Sequence, residues 1–354
     1  MKIYVKGFFF ANLGDDLFVH MIAKRYPQHK FIVVVNKEYA DTFSSVPNVE
    51  IIALNKAARA INKFYNIYDV IEKKADITVV ISGSIFQEFP NDTNAVSRFS
   101  RLPGKNNPTY IIGTNFGPYQ TNAYFQAAKR YFAGVKDVCF RDKWSYELFK
   151  DMEQIRYAPD IIFGVEKLVD DTLIKEKRCS ISVMDFDNKE YLKPYRESYE
   201  RFLVKIMEYY IARDYEITLL SFCRVEGDEL AIDRIVKKLP AEILSKTCVK
   251  KYNGTNWKEI IAVIRSSSYL VASRFHSMIL GSVFQVPVLP IIYNDKTIHA
   301  MNDIGCGNYG IKLNELDGYS IENAEYMLIH NVDCVKRQAE EQFKVLDSVL
   351  LKKG

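Results

Sequence analysis

Arg274 and His276 stand one residue apart in the run SRFHSMILGSVFQVPVLPIIYNDK, residues 273–296. The run reads strand, abrupt turn, helix, strand. A helix's first turn presents N–H groups without intrahelical partners and a partial positive charge, so it attracts anions. Arg adds a permanent charge with a planar fork of donors, and His adds a proton that moves near neutral pH. Ser273 and Ser277 bring hydroxyls to the same turn, while Tyr293 and Lys296 follow the next strand and so emerge at the same sheet edge. Arg224, in SFCRVEGDE (221–229), is a further cation before a helix start. There it opposes the helix dipole unless an anion is bound nearby, whereas Glu226 and Asp228 suit a first turn. The chemistry implied is capture of a phosphate or carboxylate with a proton donor beside it.

Other loops offer polar groups of a different kind. The first apolar run ends in Asn12, Gly14, Asp15 and Asp16. Helix capping explains the glycine and one acid, and the second acid is left over for binding or base chemistry. ISGSIFQE (81–88) carries Ser82, Gly83 and Ser84, small enough for close backbone approach to a ligand, then Gln87 and Glu88. GTNFGPY (113–119) is a rigid turn with one amide, Asn115. Arg141-Asp142 reads as a local ion pair, and Asp160 in YAPD as a cap or an anchor. Asp185 and Asp187 form a DxD in MDFDN. Paired carboxylates suit a hard cation, but this pair follows the wrong strand for that use, so no metal site is expected.

Short apolar runs alternate with amphipathic stretches along the whole chain and must position these loops. The runs are 2–10, 31–35, 49–54, 77–82, 109–114, 137–141, 179–186, 216–223, 269–274 and 286–293; helical patterns include 123–135, 198–214 and 256–267. That alternation predicts βαβ units, parallel sheets and helices on both faces. In such sheets ligands sit beyond the strands' carboxyl ends, where the unusual loops fall. The charged stretch 165–178 divides about six strands from four or five. The expected organisation is an α/β domain over 1–168, a second over 177–318 that carries the anion-binding turn, and a helical segment 319–354 packing back on the first.

With 354 residues, 48% of them apolar, the chain can build two sizeable cores. Its net charge of +4, from 48 basic and 44 acidic residues, lacks the concentrated basic face that nucleic acid requires. The six cysteines form no CxxC pair and read as small buried hydrophobes of a reducing compartment. No run has the length of a transmembrane helix, and a cytoplasmic place is expected. The end of the chain, KVLDSVLLKKG, is a weak amphipathic tail able to touch a membrane surface or pack on the fold.

Taken in order, NLGDD, ISGSIFQE, GTNFGPY, RDKWSYELF, APD and the 273–296 block resemble the polysaccharide pyruvyl transferase family, over about residues 12–305. The resemblance implies two Rossmann-like domains facing a cleft, as in GT-B glycosyltransferases. It implies transfer of pyruvate from phosphoenolpyruvate to a sugar diol as a cyclic ketal, with phosphate released and no cofactor. Arg274 would hold the donor, helped by Arg224 or Lys296, and His276 would be the acid. Asp15 or Asp16 would accept a sugar proton, with the loops at 12–16 and 82–88 on the sugar side. The acceptor stays open between a lipid-linked repeat unit, a nucleotide sugar and a finished glycan, the first placing the protein at the inner face of the membrane. The family's turn of consecutive glycines is here Ser82-Gly83-Ser84, which bears on acceptor identity. Two other readings share the architecture: a GT-B glycosyltransferase using a nucleotide sugar, and a non-catalytic carbohydrate-binding relative.

Overall fold

The computed structural model describes residues 1–61, 66–100, 103–104, 106–169 and 173–351. Part of the charged stretch 165–178, residues 170–172, and the last three residues of the tail lie outside that set. The chain divides into two units: Met1–Phe10, Asp15–Gly164 and Cys334–Gly354 form one, and Ala11–Gly14 with Val165–Asp333 form the other.

The first unit is built on a seven-stranded, wholly parallel sheet. Its strands are β1 (Lys2–Lys6), β2 (Lys30–Asn36), β3 (Val49–Leu54), β4 (Ile77–Ile81), β5 (Thr109–Thr114), β6 (Asp137–Phe140) and β7 (Ile155–Tyr157). They run in the order β3-β2-β1-β4-β5-β6-β7. The central strands β4, β5 and β6 are buried at every position, as a parallel sheet covered on both faces requires. A cluster of aromatic rings fills the space between these strands and the helix Asn122–Ala133, with Phe132 edge-on to Phe86 and Phe149.

The second unit has six parallel strands: β8 (Glu176–Ser182), β9 (Glu216–Ser221), β10 (Thr247–Lys251), β11 (Ser267–Ala272), β12 (Val288–Ile292) and β13 (Ile311–Lys312). Their order is β10-β9-β8-β11-β12-β13. The helix Arg196–Ile211 lays Phe202, Leu203, Ile206 and Met207 on this sheet at helical spacing. Both sheets reverse their winding once, between β1 and β4 and between β8 and β11. Those reversals are the places where an open α/β sheet leaves room for a ligand.

Three strands escape the apolar-run pattern. β7 and β13 are very short, and β10 (TCVKK) has no fully buried position because it lies at an edge. The cysteines also differ in part from expectation: Cys139, Cys179, Cys223 and Cys306 are buried, but Cys248 on β10 is exposed and Cys334 half-buried. Residues 319–333 go with the second unit, where Met327 exchanges both backbone hydrogen bonds with Val288.

From Cys334 onward the chain belongs to the first unit. Arg25 clamps Asp347 through two donors, at 2.8 and 2.6 Å, and reaches Glu340 at 2.7 Å. Gln342 is buried and works in both directions. Its Oε1 accepts from Gly113 N at 2.9 Å, and its Nε2 donates to the carbonyls of Ala158 (2.6 Å) and Pro159 (3.2 Å). One amide thus satisfies backbone groups from the ends of β5 and β7. Gln342→Leu keeps the volume and strands those groups. Each buried orphan costs about 1–3 kcal/mol, so thermal unfolding should show a loss of about 3 kcal/mol or more. A loss under about 1 kcal/mol would mean the amide is not a structural tie.

Candidate functional site

In the second unit four loops leave the carboxyl ends of β8, β9, β11 and β12, and the reversal between β8 and β11 gathers them. Ser182, the last residue of β8, organises the turn after β11. Its Oγ accepts from the backbone N–H groups of Ser273 (3.0 Å) and Arg274 (3.2 Å) and is hydrogen-bonded to Ser277 Oγ at 2.6 Å. Tyr199 adds a second tie, its hydroxyl donating to Ser273 Oγ at 2.8 Å. The helix Phe275–Val283 therefore starts from a fixed point, with Arg274 at its cap position and no side chain capping it. Ser273 and Ser277, expected to touch the ligand, are buried and spend their hydroxyls on this internal network.

Arg274 departs from expectation in the same direction. It is not an open anion clamp. Its Nε donates to Asp228 Oδ2 at 3.1 Å, its Nη2 pairs with Asp228 Oδ1, and its Nη1 pairs with Glu226. The two carboxylates differ. Asp228 is fully buried and accepts two further bonds at 2.9 Å, from Phe222 N and Cys223 N. Glu226 is 30% exposed. The Arg274 guanidinium holds the Glu226 carboxyl down at about 2 against the opposing effect of burial, with the charges of Lys189 and Lys296 adding to it. Burial pulls the other way on Arg274, but Asp228 and Glu226 outweigh it and keep the guanidinium charged.

Around this set stand Tyr293, Lys296 and Lys189, whose ammonium lies 5.6 Å from the Tyr293 ring centre. Burial pushes the Tyr293 phenol up to about 12, so it stays a hydrogen-bond donor at neutral pH. Arg224 is exposed on the loop before the helix Asp228–Val236. The DxD carboxylates face arginines: Asp185 meets Arg234 at 2.5 Å, and Asp187 meets Arg196 at 3.2 Å.

Asn12 and Gly14, expected on the sugar side with the first domain, belong to the second unit. Leu13 N donates to Phe222 O at 3.0 Å, and Asn12 bridges Cys223. This strip lies against His276 so closely that a Cβ on Gly14 would come within 1.7 Å of the imidazole Nδ1. Glycine is the residue that lets backbone and ring share that space.

The remaining candidates form a separate network in the first unit, at the reversal between β1 and β4. Asp15 Oδ1 accepts from Ser82 Oγ (2.7 Å) and Gly83 N (3.1 Å), so this expected base is engaged in holding the loop after β4. Asp16 beside it is buried too. Arg141, at the end of β6, does not pair with Asp142 as its position in sequence suggests. It bonds Asp160 at 2.8 Å, Asn115 Oδ1 at 2.8 Å and Ser84 Oγ at 3.2 Å. Asp142 instead caps the helix Lys143–Phe149 through Ser145 N. Gly83 packs against the Arg141 guanidinium, where a Cβ would stand 2.9 Å from Nη1. Glu88 is a brace: it accepts from Gln120 N, Thr121 N and Thr121 Oγ1 at 2.6–2.7 Å. Those bonds hold its carboxyl below the usual range although burial pushes it up. Gln87 is half-buried and offers its carbonyl to Arg98. Lys189, Ser182 and the central place of Arg141 escape sequence reasoning. The one available signal for Arg141 is a charged residue closing the apolar run DVCF.

The order of these loops matches a profile built for polysaccharide pyruvyl transferases over residues 12–295. The chain belongs to that family. Its amylovoran biosynthesis relative AmsJ of Erwinia amylovora is 22% identical over 299 residues, which is 77% of this chain and 71% of that protein. The enzyme's fold is also that of UDP-GlcNAc 2-epimerases. The Neisseria meningitidis enzyme bound to UDP-GlcNAc superposes with a TM-score of 0.61 at 11% identity, covering 99% of this chain and all of the other. The Methanocaldococcus jannaschii enzyme in complex with UDP-GlcNAc and UDP gives 0.60 at 12% identity, covering 98% and 100%. These are GT-B folds, two parallel sheets flanked by helices, and at such identities the likeness concerns fold alone. Among the described residues, no helix is long and apolar enough to cross a membrane.

Gly14→Ala should push the imidazole from its place, cutting turnover at least tenfold while the melting temperature of the chain stays within a few degrees. Unchanged turnover would show that the ring does not need that position. The Glu226–Arg274 pair has a pH signature. A carboxyl lowered in the folded state contributes stability above its unfolded pKa, and that contribution is lost as pH falls toward the folded value. The stability gap between wild type and Glu226→Gln should therefore be full above the unfolded carboxylate range, shrink as pH falls toward about 2, and vanish below it. A gap that stays undiminished as pH falls from 4.5 to 2 in acid unfolding would contradict the pairing.

Proposed function

We propose that this transferase takes its pyruvyl group from phosphoenolpyruvate and sets it on two hydroxyls of a sugar as a cyclic ketal. The observation that carries the reading is the placement of His276 at the start of the helix Phe275–Val283. There it sits two residues beyond Arg274, with Lys189, Lys296 and Tyr293 at the same end of the sheet. A compact ligand with one carboxylate and one phosphate suits a proton donor set among cations.

In the proposed sequence the His276 imidazolium gives its proton to the terminal methylene carbon of the enol, and positive character develops at the neighbouring carbon. A sugar hydroxyl adds to that carbon, and its proton passes to the now neutral imidazole. The second hydroxyl then displaces phosphate, which departs with the remaining proton and leaves a methyl-bearing ketal. Atoms balance without oxidant or reductant. Asp15 is tied to Ser82 and Gly83, so the imidazole is the better acceptor of the hydroxyl proton. Arg274 acts here through its charge, from the position just before the helix start. On the first unit the sugar is proposed to meet the loop at Ser84, which the buried Asn115 and Arg141 hold in place.

The test mixes the full chain with phosphoenolpyruvate and galactose- or mannose-type acceptors, and reads phosphate release together with the pyruvyl mass added to the sugar. His276→Ala should lower turnover roughly a hundredfold or more. Arg274→Ala is the poorer probe, because it leaves Asp228 charged, buried and unpaired, a loss of about 3–5 kcal/mol that damages the fold itself. Turnover of UDP-GlcNAc in the absence of phosphoenolpyruvate, or full activity in His276→Ala, would overturn the proposal.

A further inference from the structure

Arg274 has one permanent partner and one exchangeable partner. Asp228 is fully buried, bonds two donors of the guanidinium and is itself fixed by Phe222 N and Cys223 N. Glu226 holds Arg274 through one donor, is 30% exposed, and rides on the loop between β9 and the helix Asp228–Val236. We infer that Glu226 is an internal stand-in for the ligand: its carboxylate occupies the anion position at Arg274, and an incoming carboxylate or phosphate takes its place. The inference rests on reading this cluster as the donor site.

Charge supports the exchange. Arg274, Lys189 and Lys296 carry three positive charges, and Asp228 and Glu226 carry two negative ones, so the closed set holds a net charge of one. Lys189 and Lys296 both act on the Glu226 carboxylate, so the groups that would meet an external anion already surround the internal one. Lys189 is fixed from a third loop, beyond β8, over the Tyr293 ring. When Glu226 swings out, an arginine fork edge and an ammonium face the vacated place, and Asp228 keeps the guanidinium aligned. A site occupied by its own carboxylate binds an external anion with an affinity reduced by the open fraction. Glu226 thereby sets donor affinity without touching the reacting carbons. It also favours a ligand carrying more negative charge than a single carboxylate, because the ligand has to replace one.

Isothermal titration of the full chain with inorganic phosphate, pyruvate and phosphoenolpyruvate separately tests this. Glu226→Gln should tighten binding of at least one of them roughly tenfold, a change of about 1.4 kcal/mol. The arm that tightens, phosphate or pyruvate, names the group that replaces Glu226. Glu226→Asp, one methylene too short for the Arg274 contact, should tighten binding in the same direction and guards against misfolding of the first variant. In turnover the KM for phosphoenolpyruvate should fall in both variants, an effect that a merely structural role would not produce. Unchanged or weaker binding of all three anions in both variants overturns the inference. If phosphoenolpyruvate is turned over in that case, the donor reading stands alone. If phosphate binding tightens but phosphoenolpyruvate is never consumed, the stand-in role stands and the donor reading fails.

Discussion

A guanidinium removed from water has to be neutralised in place, and in the second unit that requirement falls on Arg274 and Asp228. Desolvating either charge alone costs several kcal/mol, so Arg274 after β11 and Asp228 after β9 can be buried only together. Much follows from the pair. Asp228 draws in the backbone of Phe222 and Cys223, which sets the loop after β9. Phe222 in turn offers its carbonyl to Leu13, and the adjoining Gly14 sits against His276. The position of the His276 imidazole thus depends, through four short contacts, on a buried charge pair.

The first unit meets the same problem with the same residue types. Arg141 closes β6 as Arg274 follows β11, and Asp160 neutralises it as Asp228 does its partner. The surroundings differ. Arg141 is ringed by neutral oxygens from Ser84 and Asn115, whereas Arg274 stands among Lys189, Lys296 and Glu226. Hydroxyl and amide groups beside a neutralised guanidinium suit a polyol, and an excess of cations suits an anion. Both edges lie at the point where the sheet reverses its winding, where strand geometry leaves room.

Much of the fold is legible in the chain because parallel strands buried on both faces are continuous apolar runs, as in ITVVI and TYIIGT. What escapes is what lacks such a run: TCVKK of β10 at a sheet edge, and the two- and three-residue strands β13 and β7. At the site, Arg274 and His276 announce themselves through their spacing before a helix. Their partners do not. Glu226 and Asp228 look like ordinary first-turn acids, and only strand order brings them to an arginine 48 and 46 positions later. The Arg141–Asp142 neighbourhood misleads for the converse reason. Asp142 is taken up as the cap of the next helix, and Arg141, just past the end of β6, meets Asp160 beyond the end of the neighbouring strand β7.

Gln342 has a temporal meaning as well as a structural one. Domains generally fold as units as they leave the ribosome, but the first unit contains residues that are made last. Until residue 342 emerges, the N–H of Gly113 and the carbonyls of Ala158 and Pro159 lack their interior partner. Arg25 likewise waits for Glu340 and Asp347. The second unit, made in between, can close while the first is still unfinished. The order of synthesis and the order of completion are therefore reversed, and a chain cut short before this segment would leave incomplete the unit it began with.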